Sequence, residues 1–290
     1  MNRCIFKKSD IQKGKPTAMK SLAKARIISR EMLTDDICSL WAEVPFAAEV
    51  RAGQFVSFYL NDPSRMLPRP ISICDINRRL GALRFVFRIV GEGTRQLAEA
   101  KTGDLLDCIG PLGNGYPLEE ASGKRLLLAA GGLGVPPMLG IIRDLYDEPC
   151  AAEGEAFVRP PKAVTCALGY RHDLFLYEEI SENTAVSIAT DDGSAGVHGT
   201  VIDAIKEIKL PYDLIFACGP KPMLKALAAF AREKEIPLYV SMEERMACGV
   251  GTCLGCVCET TQPDPHYHVN YRRVCKDGPV FRAEELAELN

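Results

Sequence analysis

Four cysteines near the end of the chain, Cys248, Cys253, Cys256 and Cys275, have four, two and eighteen residues between successive members. From residue 241 onward the chain is dense in Cys and Gly, too short and irregular to bury a large core of its own. A bound metal centre is the natural way to hold such a segment together. C-x4-C-x2-C followed by a distant Cys is the plant-type spacing for a 2Fe–2S cluster. Gly249, Gly251 and Gly255 let three thiolates converge on a tight loop while backbone amides turn towards the sulfurs. Four cysteines can also hold structural zinc, but zinc ribbons pair two short C-x2-C units and only one is present. Cys258 lies two residues past Cys256 and reads as a packed thiol on a following strand. Cys4, Cys38, Cys74, Cys108, Cys150 and Cys166 are scattered and read as ordinary residues.

Composition narrows the class. The 290 residues are 47% hydrophobic and 25% charged, values of a globular chain long enough for two domains. A formal charge of −3 offers no basic surface for nucleic acid or anionic lipid. Residues 126–142, the longest nearly apolar run, contain four Gly and two Pro and are short for a membrane span. The first ten residues, MNRCIFKKSD, lack an apolar signal core, so the expected location is cytoplasmic and the expected thiol state reduced.

Four regions follow along the chain. Residues 1–20 are Lys-rich and without periodicity, which suggests a mobile tail or an artefact of the assigned start. Residues 21–122 read as short strands (55–60, 71–74 and 83–90 among them) split by turn signals, the pattern of a small antiparallel β-barrel. Over 123–240, apolar strands at 125–130, 163–168, 186–189 and 214–217 alternate with helices at 136–146 and 223–234. This is the pattern of an α/β domain with a parallel sheet. Residues 147–162 are Glu-, Pro- and Ala-rich and read as a surface insertion. Residues 241–290 form the small cluster-binding segment.

Several motifs sit at strand ends. Arg69-Pro70-Ile71-Ser72 opens a strand, and Arg88-Ile89-Val90-Gly91-Glu92-Gly93-Thr94 leads into a helix expected near Arg95. Free amides at such a turn suit a pyrophosphate, and an Arg fork adds charge-assisted bonds. Gly131-Gly132-Leu133-Gly134-Val135-Pro136-Pro137 joins a strand to a helix, and Cys218-Gly219-Pro220 ends another strand. Two Gly-rich strand ends in one parallel sheet make a crevice at its carboxyl edge.

In order, RPIS, RIVGEGT, AAGGLGVPPM, TDDGS, CGPKPM, EERMACGVGTCLGC and RVCKDGPVF resemble the ferredoxin–NADP reductase superfamily. Within it they look most like the electron-transfer subunits of NAD-dependent dihydroorotate dehydrogenase, over residues 21–282. The resemblance implies FAD lined by Arg69, Pro70, Ile71 and Ser72, with Arg69 on its phosphates. Val86, Phe87 and Arg88 would follow along the flavin, and Gly93 and Thr94 would cap the pyrophosphate. Reductases of the plant type carry an aromatic residue where this chain has Ile71, a departure that favours the dihydroorotate branch. Gly131, Gly132, Gly134, Cys218, Gly219 and Pro220 would border the nicotinamide nucleotide, and Cys248, Cys253, Cys256 and Cys275 would hold the cluster. Asp191 and Asp192 stand where NADP enzymes of the superfamily carry a basic side chain. Their carboxylates repel a 2′-phosphate and accept ribose hydroxyls, so the expected acceptor is NAD. Arg171 is the one nearby residue that blurs this reading. Comparable efficiency with NADPH would contradict it.

The resemblance further implies a partner, an FMN-containing catalytic subunit on which dihydroorotate is oxidised. The complex would hold two of each subunit, with the cluster loop near the partner and no acid–base residue of this chain acting on dihydroorotate. Electrons would pass through the 2Fe–2S centre and FAD to NAD+, serving pyrimidine biosynthesis. The alternative within the superfamily is an NAD(P)H-linked subunit of a hydrogenase, sulfide reductase or ferredoxin reductase. A different class, a zinc-stabilised binding module, predicts a colourless protein.

Overall fold

The structure is a computed structural model describing residues 21–60, 62, 66–146, 160–264 and 268–290. The expected tail at 1–20, most of the expected insertion at 147–162, and Cys4 and Cys150 lie outside the described residues.

Six antiparallel strands close a barrel: β1 (Ser21–Met32), β2 (Ile37–Glu43), β3 (Phe55–Tyr59), β4 (Arg69–Asn77), β5 (Ala82–Arg88) and β6 (Leu105–Leu112), in the order β1-β2-β5-β4-β3-β6. Alternation decides what each face does. On β3, Val56 and Phe58 fill the barrel with Phe85 and Phe87, the Phe58 and Phe85 rings meeting edge to face at 4.9 Å. Phe55 turns outward and packs with residues of the C-terminal segment. Between β5 and β6 lies α1 (Glu92–Ala98). It opens three residues before the expected Arg95, because Thr94 Oγ1 accepts the Gly91 N–H at 3.2 Å and closes the turn earlier.

After the barrel come β7 (Arg125–Gly131), α2 (Val135–Tyr146), β8 (Ala163–Tyr170), α3 (Tyr177–Ser181), β9 (Ala185–Thr190) and β10 (Val197–His198). They are followed by α4 (Val201–Glu207), β11 (Leu214–Cys218), α5 (Lys221–Glu233) and β12 (Leu238–Ser241). These strands form a parallel sheet in the order β10-β9-β8-β7-β11-β12. β7 and β11 are apolar nearly throughout because both faces of the sheet are covered. The first two turns of α2, Val135 to Ile142, are wholly buried between sheet and barrel. Gly140 makes that contact possible, since a Cβ there would lie 3.0 Å from the Cys74 carbonyl oxygen on β4.

The cysteine-rich segment carries a two-stranded hairpin, β13 (Val257–Glu259) with β14 (Tyr271–Arg273). Its last strand, β15 (Val280–Arg282), pairs antiparallel with β12 and becomes the seventh strand of the large sheet. Asn114, just past β6, fastens this strand to the barrel. Its Nδ2 donates to the Val280 carbonyl at 2.8 Å, its Oδ1 accepts the Val280 N–H at 2.9 Å, and its own N–H donates to the Gly278 carbonyl at 2.6 Å. Tyr116 makes a second tie, donating from its hydroxyl to the Ala217 carbonyl at 2.8 Å near the end of β11. No helix among the described residues is long and apolar enough to cross a membrane.

Candidate functional site

The chain runs outward from β7 to β8, β9 and β10, then returns to β11 on the other side of β7. Such a switch point leaves a crevice outside the strands' carboxyl ends, where ligands of open α/β sheets bind. Gly131, Gly132 and Gly134 leave β7 there, and Cys218, Gly219 and Pro220 leave β11. The glycines' lack of side chains is what lets the two ends come together. A Cβ on Gly134 would lie 2.0 Å from the Cys218 carbonyl oxygen, and one on Gly131 would lie 2.7 Å from the Met223 sulfur. Cys218 itself is buried, so only its backbone borders the crevice. Asp191 and Asp192 stand exposed after β9, on the same edge of the sheet. Asp192 Oδ1 accepts from the Ser194 hydroxyl at 2.6 Å and the Ser194 N–H at 2.9 Å, and these bonds hold its carboxyl below the usual range. Arg171, after β8, is also exposed.

On the barrel, Arg69, Pro70 and Ile71 are half-buried and Ser72 is exposed along β4. Arg69 Nη1 donates to the Leu67 carbonyl at 2.7 Å. The guanidinium lies against Gly93 in the first turn of α1, where a Cβ would come within 2.3 Å of Arg69 Nε. Arg69 and the first turn of α1, distant in sequence, therefore meet at one corner of the barrel. Thr94 serves the turn itself, its hydroxyl donating to the Gly91 carbonyl at 3.0 Å. Along β5 the side chains of Val86 and Phe87 are both buried, Val86 against the α2 side and Phe87 inside the barrel. A ligand passing there meets their backbone. Arg88 is held by Asp36 at 2.9 Å.

The cysteine loop presents donors to its own sulfurs. The Thr252 N–H points to Cys248 Sγ at 3.3 Å, the Gly255 N–H to Cys253 Sγ at 3.4 Å, and the Cys275 N–H to Cys256 Sγ at 3.4 Å. Burial pushes the Cys248 thiol up, but the N–H groups of Cys253, Val250 and Thr252 outweigh it and bring it down to about 6. Cys275 is pushed up to about 12, by burial first and then by the adjoining Cys256 and Cys248. Glycine again supplies the room, since a Cβ on Gly251 would lie 2.7 Å from Lys276. Among the described residues no three His, Cys, Asp or Glu side chains converge on one point. The donor set and its aimed amides fit the iron–sulfur group. Cys258, on β13, is buried, and its thiol donates to the Arg272 carbonyl at 3.5 Å. All ten cysteines among the described residues are free thiols.

Two residues at the site were given no role of their own by the sequence. Ser57, outward on β3, touches the cluster loop: a Cβ on Gly249 would lie 3.0 Å from its Oγ. Met223 packs against both Gly131 and Gly219 and closes the floor of the crevice. A lone Ser in an alternating strand gives no signal, and Met223, though it closes the CGPKPM motif, has no role that spacing alone assigns.

Residues 243–287 match the family model described as the iron–sulfur cluster binding domain of dihydroorotate dehydrogenase B. The chain is 40% identical over 267 residues to the dihydroorotate dehydrogenase B (NAD(+)) electron transfer subunit of Bacillus caldolyticus, covering 90% of this chain and 96% of that one. The corresponding subunit of Geobacillus kaustophilus matches with the same identity and coverage. Among solved structures, the NADH-dependent reduced ferredoxin-NADP oxidoreductase, described in terms of flavin-based electron bifurcation, superposes with a TM-score of 0.76. It shares 28% identity, over 90% of this chain and 89% of that one. These matches favour the dihydroorotate branch over a hydrogenase, sulfide reductase or ferredoxin reductase subunit. With 40% identity spanning nearly the whole length of such subunits, the chain belongs to the family of electron transfer subunits of dihydroorotate dehydrogenase B.

Proposed function

We propose that this chain is the electron transfer subunit of a NAD+-dependent dihydroorotate dehydrogenase, an oxidoreductase of pyrimidine biosynthesis. In this reading residues 21–122 hold FAD, 123–240 hold NAD+, and 241–290 hold a 2Fe–2S cluster. When bound, the flavin exchanges electrons in pairs with nicotinamide and singly with an iron–sulfur centre, which is the chemistry needed between the two.

The chain's own residues bind and orient. Arg69 and the α1 turn at Gly93 and Thr94 take the FAD pyrophosphate, Pro70 to Ser72 take the ring, and the backbone of Val86 to Arg88 follows it. Gly131, Gly132, Gly134, Cys218, Gly219 and Pro220 leave the path along the crevice clear for NAD+, with Asp191 and Asp192 facing the ribose. Cys248, Cys253, Cys256 and Cys275 supply the thiolates. The observation that carries the reading is the seating of the cluster loop on the barrel. Gly249 meets Ser57 on β3, and β3 pairs with Arg69 to Ser72 of β4, so cluster loop and flavin strand are adjacent.

The partner in this reading is an FMN-bearing catalytic subunit, two of each chain forming the complex. Exposed Cys253, Leu254 and Val257 on and beside the cluster loop support docking at that face. The test is dihydroorotate-dependent NAD+ reduction, measured with this chain alone, the catalytic subunit alone, and both. Activity only in the mixture is the expected result. An inactive mixture in which this chain still passes electrons from NADH to a dye would overturn the pyrimidine assignment while leaving flavin and cluster in place.

A further inference from the structure

Three buried side-chain polar atoms lack a hydrogen-bond partner among the described residues: Ser57 Oγ, Arg88 Nε and Glu288 Oε1. Arg88 is nevertheless ion-paired with Asp36, and Glu288 holds Lys221 through its other oxygen. Ser57 has neither kind of compensation, and it is 1% exposed. A buried hydroxyl without a partner is disfavoured, so its retention calls for an acceptor that arrives after the chain has folded.

Its position says which acceptor. Ser57 lies opposite Pro70 on β4 and opposite Ile109 on β6, just past an irregularity in the β3–β6 pairing that follows Phe55. A Cβ on Gly249 would stand 3.0 Å from the hydroxyl oxygen, and Gly249 follows the ligand Cys248 directly. Gly249 has φ +67°, a left-handed conformation that suits glycine, and it is buried. Bulk at 249 would thus meet the hydroxyl. From the loop side, the amides of Thr252, Gly255 and Cys275 already point to cysteine sulfurs. The barrel wall offers one further donor to the same group.

We propose that Ser57 is a positioning residue for the iron–sulfur centre: its hydroxyl would donate one hydrogen bond to a sulfur that the bound cluster brings beside Gly249. This rests on the reading of the four cysteines as cluster ligands. Hydrogen bonds to cluster sulfur stabilise the more negative, reduced state and so raise the reduction potential. The barrel wall thereby sets the level at which electrons reach the flavin.

The test is an EPR-monitored redox titration of the purified holoprotein, comparing wild type with Ser57→Ala and Ser57→Thr. The expected result for Ser57→Ala is a lower cluster midpoint, with unchanged FAD midpoint and unchanged iron, labile sulfide and flavin content. Ser57→Thr keeps the hydroxyl and should keep the wild-type midpoint. If Ser57→Ala assembles no cluster, Ser57→Cys, with similar shape and a weaker donor, should show the same downward shift. An unmoved cluster midpoint, or a shift confined to FAD, overturns the proposal. A wild-type protein without any 2Fe–2S signal would instead overturn the ligand reading, a separate failure.

Discussion

Gly132 and Gly134 stand two positions apart in one turn and are required for different reasons. Gly132 has φ +53° with nothing within 4 Å of a built Cβ, so Gly132→Ala meets only backbone strain, about 1–2 kcal/mol. A Cβ on Gly134 would strike the Cys218 carbonyl at 2.0 Å, and backbone on both sides leaves little room to relax. Gly134→Ala should therefore cost about 3 kcal/mol and lower the Tm by roughly 6–10 °C, with NADH affinity falling alongside. Thermal unfolding and NADH titration of the two variants check this, and equal effects would contradict it. Asp213 gives a second prediction. The Arg125 guanidinium and N–H hold its carboxyl down at about 2. A depressed carboxylate stabilises the fold above the unfolded-state value near 4 and loses that contribution as pH falls towards 2. Both side chains are about two-fifths exposed, so the pair contributes under ~1 kcal/mol. The Tm gap between wild type and Asp213→Asn should accordingly be present at pH 6 and close between pH 4 and pH 2. At this scale the cysteines and strand-end glycines were legible because their chemistry depends on residue type and spacing. Ser57 was not, because its role depends on which residue lies opposite it in space.

The elements that the alternation of apolar strands and helices marked out appear within a few residues of their expected bounds. β7 was expected at 125–130 and ends at Gly131; α5 was expected at 223–234 and spans Lys221–Glu233. These elements are defined locally, by hydrophobic period and by Pro or Gly at their ends. β15 was not legible: three residues, Val280–Arg282, become a strand only because β12 offers them an edge. Asn114 is what fixes that strand to the barrel, through both ends of its amide. Asn114→Ala removes these two bonds and leaves the Val280 N–H and carbonyl without them. The expected loss is about 2 kcal/mol, or roughly 5 °C in Tm. Amide exchange of Val280 should rise while exchange in β7 and β11 stays slow; protection unchanged at Val280 would show that Asn114 does not hold the strand.

For the whole molecule, the proposed order of cluster, flavin and nucleotide rests on the cysteine loop touching β3 of the barrel, which pairs with β4. Cys256, buried in the core that the sheet shares with the cysteine-rich segment, is the proposed ligand whose loss should separate these parts most cleanly. Cys256→Ala, which leaves no donor atom at this position, should lose the 2Fe–2S signal, retain FAD and NADH-to-dye activity, and cut dihydroorotate-dependent NAD+ reduction by more than ~100-fold. Retention of the cluster signal would remove Cys256 from the ligand set. The placement of β15 has a further consequence, for biosynthesis. Until residues 280–282 emerge from the ribosome, β12 presents an unpaired strand edge of four consecutive buried residues, open to pairing with another nascent chain. The strand that covers this edge belongs to the cysteine-rich segment and follows Cys275, so all four cysteines are synthesised before the chain becomes protected against self-association.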